Sequence, residues 1–234
     1  MQPYFVPYIG YFQLMHAVDV FVLYDDAQYM KGGWINRNRI RNNQNVGWLT
    51  LPVRSSNFRA PINQREYQLS SGLAIRRVKK RLEESYLKAP YGIELLPFIT
   101  GLLETNVTNV AAFNAQSLNT ISKALGIGCK FLTASTIDLP ANLKGQAKVI
   151  SLCRAIGATQ YVNSVGGIDL YNEDKFQEAG VQLSFLRTTA APTLLGNAAH
   201  YLSIIDTLLW KGIAGTREQL SNYELFSSNV ELTT

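Results

Sequence analysis

Residues 20–26 read Val-Phe-Val-Leu-Tyr-Asp-Asp: five apolar or aromatic side chains closed by two carboxylates. A continuous apolar run of strand length suits a strand covered on both faces, as in a parallel sheet. In open α/β sheets ligands bind beyond the carboxyl ends of the strands, which is where Asp25 and Asp26 stand. On the N-terminal side, residues 7–18 read as a helix with Ile9, Phe12 and His16 on one side, preceded by an extended piece over 2–6. On the C-terminal side the alternation returns. Strands are expected at 130–133, 160–163 and 182–186, with helices over 145–156 and 172–179 that stop at Gly157 and Gly180. Strands alternating with helices predict an α/β fold with a mostly parallel, Rossmann-like sheet.

The middle of the chain breaks this rhythm. Residues 46–53 read as a strand that Gly47 and Pro52 place at an edge. Residues 70–86, 91–104 and 110–125 read as helices, so a helical block at about 70–125 is inserted between the α/β halves of one domain spanning 1–234. The helix over 70–86 carries Ile75, Val78, Leu82 and Leu87 on one face and Arg76, Arg77, Lys79, Lys80 and Arg81 on the other. C-terminal helices are expected over 202–210 and 218–225, the last with Thr216 and Gln219 as a capping box.

Charge is unevenly spread. The net +5 resolves into 13 basic and 6 acidic residues over 1–90, and 9 basic and 11 acidic over 91–234. Between 31 and 81 there are 12 basic residues and a single acidic one, Glu66. Such a segment implies an anionic partner or a solvated basic face. The 47% hydrophobic content excludes a disordered chain. Two cysteines exclude a disulfide scaffold or a four-cysteine zinc site, and Cys129 and Cys153 read as small core residues. No apolar run of about 18 residues marks a membrane span, and residues 1–10 lack signal-peptide features, so the cytoplasm is the expected compartment.

Four clusters carry candidate chemistry. Gln2, Pro3, Tyr8 and Tyr11 lie in an aromatic segment punctuated by Pro3, Pro7 and Gly10, either a core turn or a ligand-facing turn that opens a helix at an anion site. The step Pro7-Tyr8-Ile9-Gly10-Tyr11 resembles the P-x-x-G-H step of nucleotidyltransferases, with Tyr11 where that class has its second histidine. Asp25 and Asp26 are candidates for a base, a magnesium ligand or a turn cap, with one of them expected in the site. Lys31, Trp34, Asn36, Arg37, Asn38 and Arg39 form the third cluster. Alternation puts the amides on one face of an extended segment and the guanidiniums on the other, where arginine forks suit phosphate and Trp34 suits a ring. Lys144, Asn163, Gly166, Gly167 and Tyr171 form the fourth, at a helix start and a strand end. The chain has no Walker A loop, no G-x-G-x-x-G, no G-x-S-x-G, and only two histidines, His16 and His200.

Several stretches resemble the WbqC-like family: 2–14 with 17–26, then Gly33-Trp34-Ile35-Asn36-Arg37-Asn38-Arg39-Ile40, Lys144-Gly145-Gln146, 152–163, 166–171, 202–206 and 223–225. Set beside that pattern, the first strand reads as cut short and Met1 as an internal methionine, and Ser164 stands where the family often has proline. The resemblance implies bacterial surface-polysaccharide or O-antigen gene clusters. The expectation is an acyl or aminoacyl transferase acting on a nucleotide-linked amino sugar, with Arg37 and Arg39 on the diphosphate, Asp25 or Asp26 as base, and Lys31 with the Gly166 and Gly167 amides at the oxyanion. No cofactor or metal is evident. Two alternatives stay open: a nucleotidyltransferase-like enzyme, and a non-catalytic module in which Trp34, Trp48 and Phe58 stack on a nucleotide or nucleic acid. A phosphate-bearing small molecule is the favoured partner over nucleic acid.

Overall fold

The computed structural model describes residues 1–42, 45–57, 59–69, 71–189 and 202–227. The helix start at Ser70, the stacking role of Phe58, and His200 lie outside the described residues. Pro7 leads into α1 (Ile9–His16), of which every residue from Gly10 to Met15 is buried. A helix apolar on all sides belongs inside a protein. Its Gln13 is fully buried, and its Nε2 donates to the carbonyls of Gln219 (2.8 Å) and Asn222 (3.0 Å), which ties the first helix to the end of the chain.

The apolar run forms β1 (Val20–Leu23), paired in parallel with β4 (Lys130–Thr133) in the register Val20↔Lys130. Met1 lies alongside: its ammonium donates to the Val22 carbonyl, and the Tyr24 amide donates to the Met1 carbonyl, both at 2.8 Å. Residues 2–8 are thereby carried past the end of β1. β2 (Arg37–Asn42) and β3 (Asn45–Thr50) pair antiparallel, with Arg39 opposite Trp48.

Between the hairpin and β4 stand α2 (Leu73–Tyr86), α3 (Gly92–Gly101) and α4 (Val110–Ala124), in the place expected for the helical block. α2 buries Val78, Leu82 and Tyr86, spaced four residues apart on one face, and turns Arg76 and Arg77 outward. The Asn109 side chain accepts from the Ala112 amide (3.1 Å) and fixes the start of α4. After β4 come α5 (Gly145–Ala155), β5 (Gln160–Ser164), α6 (Glu173–Glu178) and β6 (Gln182–Thr188). α7 (Ile204–Glu218) breaks at Gly212, where φ is 71° and ψ 178°. A Cβ there would stand 2.8 Å from the Tyr91 ring, so both backbone angle and space call for glycine.

Two expectations change. The fold is mixed α/β, but hydrogen bonds join the described strands into three small sheets: β1–β4, β2–β3, and β5–β6 extended by a strand at Tyr223–Phe226. Only β1–β4 and β5–β6 are parallel pairs, so a mostly parallel Rossmann-like sheet is more than the pairing supports. The residues read as a last helix, 218–225, instead form a 3-10 turn at Gln219–Ser221 and the strand β7 (Tyr223–Phe226). The open edge of β6 decides this: Phe185 pairs with Phe226 and Arg187 with Glu224, antiparallel. Thr216 caps nothing, because its Oγ1 donates back to the Gly212 carbonyl (2.6 Å) within α7.

The main core gathers Phe5, Tyr11, Phe12, Leu49, Phe113, Leu208 and their neighbours around α1, α4, α7 and the hairpin. A smaller core of Cys153, Phe176, Val181, Leu183 and Phe185 lies between α5, α6 and β6.

Candidate functional site

The two carboxylates that close β1 are treated differently. Asp25 is 4% exposed. Its oxygens accept from the Ser135 amide (3.0 Å), the Ser135 hydroxyl (2.6 Å) and the Asn63 side chain (3.0 Å). Its backbone carbonyl also accepts from the Asn63 amide (2.9 Å). Asp25 thus fastens the end of β1 to the turn after β4 and to the 3-10 turn at Ile62–Gln64. Asp26 points elsewhere. Its Oδ2 pairs with the Lys148 ammonium on α5, while its Oδ1 is enclosed and has no donor.

Asp26 and Lys148 form part of the wall of a cavity of about 450 Å³, together with Ser135, Thr136, Asp138 and Asn142. That volume suits a small ligand. The Lys148 ammonium also sits 5.0 Å from the centre of the Tyr24 ring. The Tyr24 phenol is pushed above its ordinary acidity range by burial first, then by the charges of Asp26 and Tyr171. Tyr171 meets Tyr161 hydroxyl to hydroxyl at 3.1 Å, and burial raises the Tyr161 phenol well above its usual value. Tyr24 thus meets the Asp26–Lys148 pair through Lys148, and Tyr171 is tied to Tyr161 on β5.

The remaining candidates divide between framework and surface. Tyr11 is 1% exposed and its hydroxyl donates to the Gln2 carbonyl (2.7 Å), and burial raises its phenol well above 10. Pro3 is buried and its carbonyl accepts from Asn114 (2.9 Å), while Tyr8 is the half-buried residue before α1. Asn36 donates to the Leu51 carbonyl (2.8 Å) and accepts from the Tyr29 hydroxyl (2.9 Å). Asn38 donates to the carbonyls of Phe5 (3.0 Å) and Val6 (3.1 Å). Val6 has φ 36°, and the Asn38 bond with a second from Ser203 Oγ (2.6 Å) holds that left-handed residue in place. The two asparagines do lie on the opposite face from Arg37 and Arg39, but they face backbone carbonyls.

Arg37 donates to the Gly32 and Gly33 carbonyls and stands 4.1 Å from the Trp48 ring centre. Arg39 lies 5.6 Å from the Trp34 ring and 5.3 Å from that of Trp48. Neither arginine lines the Asp26 cavity, nor does Lys31, which is exposed on the loop before β2. Lys144 is exposed at the start of α5, one turn before Lys148. Asn163 is buried and accepts from the Ser164 amide (2.8 Å). A Cβ on Gly167 would meet Asn163 Nδ2 at 2.7 Å, so this glycine makes room for Asn163, while Gly166 is exposed and unobstructed.

The structure thus pairs Asp26 with a residue that the motif reading passed over, Lys148, whose ammonium also faces the Tyr24 ring. Lys148 had a sequence signal in its spacing of four from Lys144, which puts both ammoniums at the first turn of one helix. Among the described residues no group of three or more His, Cys, Asp or Glu side chains is placed to hold a metal. No described helix is long and apolar enough to cross a membrane.

Fold and cavity together define a mixed α/β protein with a polar crevice beyond the ends of two parallel strands, walled by a carboxylate–ammonium pair. The chain belongs to the WbqC-like protein family, whose model matches residues 2–218. It is similar to the uncharacterized protein Rv1507c of Mycobacterium tuberculosis (strain ATCC 25618 / H37Rv), with 31% identity over 187 residues, 79% of each chain. No solved structure matches the chain.

Proposed function

We propose that this protein is a transferase that places an acyl or aminoacyl group on the amine of a nucleotide-linked amino sugar, with Asp26 as base and Lys148 beside it. The observation that carries the reading is the Asp26 carboxylate at the cavity wall: one oxygen on Lys148, the other enclosed without a donor. Leaving a polar atom buried without a partner costs about 1–3 kcal/mol, which an N–H or O–H donor relieves once a turn of the Asp26 side chain brings that oxygen to the cavity. A substrate amine donating there is held for attack on an acyl carbonyl. As the N–C bond forms, Asp26 accepts the amine proton and the Lys148 ammonium faces the developing oxyanion. When the tetrahedral carbon collapses, its bond to the leaving group of the activated acyl donor breaks, and that group departs with the electron pair and the proton that Asp26 took up. Lys144 and Lys148, at the first turn of α5, supply positive charge for the substrate's phosphates. The link of WbqC-like sequences to surface-polysaccharide gene clusters supports a sugar substrate, and a nucleotide-linked sugar supports a cytoplasmic site of action.

Thermal unfolding with a panel of nucleotide-sugars tests the reading. Amino-sugar nucleotides are expected to raise the midpoint, and Asp26→Ala to keep that protection while turnover collapses. Protection by no nucleotide-sugar removes the substrate class. Protection without any Asp26-dependent turnover turns the reading into that of a non-catalytic nucleotide-binding module.

A further inference from the structure

Arg41 and Arg65 are both buried, 9% and 5% exposed, yet only Arg41 has a counter-ion. Its Nε and Nη2 reach the two oxygens of Asp206 at 3.0 and 3.2 Å, and Tyr86 donates to the same carboxylate at 3.1 Å. Among the described residues no carboxylate lies within 4.0 Å of Arg65. Its Nη1 donates to the Ser56 hydroxyl, its guanidinium carbon stands 4.8 Å from the centre of the Tyr29 ring, and its enclosed Nε has no partner. A buried cation stabilised by one neutral hydroxyl and one ring leaves most of its desolvation cost uncompensated.

A second guanidinium acts on the same ring. The charges of Arg65 and Arg37 both make the Tyr29 phenol more acidic, against the larger opposing effect of burial. Among the described residues Arg37 too has no carboxylate within 4.0 Å; it is held by the neutral carbonyls of Gly32 and Gly33 and by the Trp48 ring. Ser56 belongs to an exposed stretch, residues 54–57, that passes beside Arg65. An uncompensated guanidinium against a phenol ring, beside an exposed serine hydroxyl, makes a receptor for a tetrahedral oxyanion: a fork donor, a neutral donor and a ring wall, with the charge of Arg37 adding to the field.

We propose that Arg65, Ser56 and Tyr29 form a phosphate-binding site. None of the three lines the Asp26 cavity, and the site stands independently of the transferase reading. Its ligand is an inorganic phosphate or a phosphate group on a larger molecule.

The test is thermal unfolding and calorimetric titration of the full chain with inorganic phosphate, pyrophosphate and a nucleoside monophosphate, against chloride at matched ionic strength. Phosphate is expected to raise the midpoint saturably and chloride not to. Arg65→Met is expected to weaken phosphate binding by about tenfold or more while leaving the unliganded midpoint unchanged or raised, because it removes an unpaired buried charge. Ser56→Ala, an exposed change that keeps the fold, is expected to weaken phosphate by about threefold. Asp26→Asn is expected to leave phosphate binding intact, which separates this site from the cavity. A preference for pyrophosphate or the monophosphate over free phosphate assigns the site to a phosphoryl group of a larger ligand. Equal shifts with phosphate and chloride, or a phosphate response undiminished in both Arg65→Met and Ser56→Ala, overturn the proposal. Should Arg65→Met fold poorly, Arg65→Lys, which keeps the charge and loses the fork, is expected to show the same loss.

Discussion

Asp25 and Asp26 are neighbours in the chain, and the regions they serve differ in one respect that decides their roles. At the seam between β1, the turn after β4 and the 3-10 turn at Ile62–Gln64, Asp25 accepts three side-chain-directed bonds and is 4% exposed. At the cavity, Asp26 has one partner, Lys148, and one enclosed oxygen without any. Saturation turns a carboxylate into framework, since both oxygens are committed to fixed donors. An open valence leaves a carboxylate able to take a proton or a ligand donor. Two buried cations repeat the contrast: Arg41 on β2 is locked by Asp206, whereas Arg65, after the 3-10 turn at Ile62–Gln64, has no carboxylate within 4.0 Å among the described residues.

The widest gap should appear in stability. Asp206→Ala strands the Arg41 guanidinium and removes the acceptor for Tyr86, so urea unfolding should show a loss of about 3–5 kcal/mol. Asp25→Ala leaves the Ser135 amide and the Asn63 side chain without acceptors and should cost about 3 kcal/mol by the same measurement. Asp26→Asn, by contrast, should change stability by less than about 1 kcal/mol while abolishing turnover. A loss for Asp26→Asn as large as that for Asp25→Ala would erase the distinction between seam and cavity.

A smaller effect concerns Cys153, in the second core, whose thiol burial pushes up to about 11. Its folded pKa lies above the unfolded value of about 8.5, so the unfolded chain loses its proton first as pH rises. The thiol's contribution to stability is full below about 8.5 and is lost as pH climbs toward 11. Iodoacetamide at pH 8 should therefore label native Cys153 far more slowly than the unfolded chain, and Cys153→Ser should flatten the alkaline limb of the stability curve.

How much of this the residues disclose depends on how far apart the partners lie. The run at 20–24 announces a buried strand by itself, and β1 forms there. The helical block announces itself by the spacing of Val78 and Leu82 in α2 and by Asn109 before α4. The alternation of Asn36 and Asn38 against Arg37 and Arg39 is equally legible as geometry. Its meaning is not, because Asn38 answers carbonyls 32 and 33 positions away, at a left-handed Val6 that no local pattern reveals. Lys148 is hidden for the same reason, its partner being 122 positions back. β7 is hidden differently: Tyr223 to Phe226 has no strong pattern of its own, and the edge of β6 imposes one. The residues of the aromatic turn at 2–12 suit core and ligand equally, and burial of Tyr11 and Pro3 settles those two as core.

The central claim is that the Asp26–Lys148 cavity takes a phosphate-bearing amino sugar. Calorimetric titration of the protein and of Lys148→Met with a nucleotide-linked amino sugar addresses it most directly. The account predicts saturable binding to the first and a loss of about tenfold or more in the second, with phosphate binding at Arg65 unaffected. Equal affinity in the two proteins, or none in either, would contradict it.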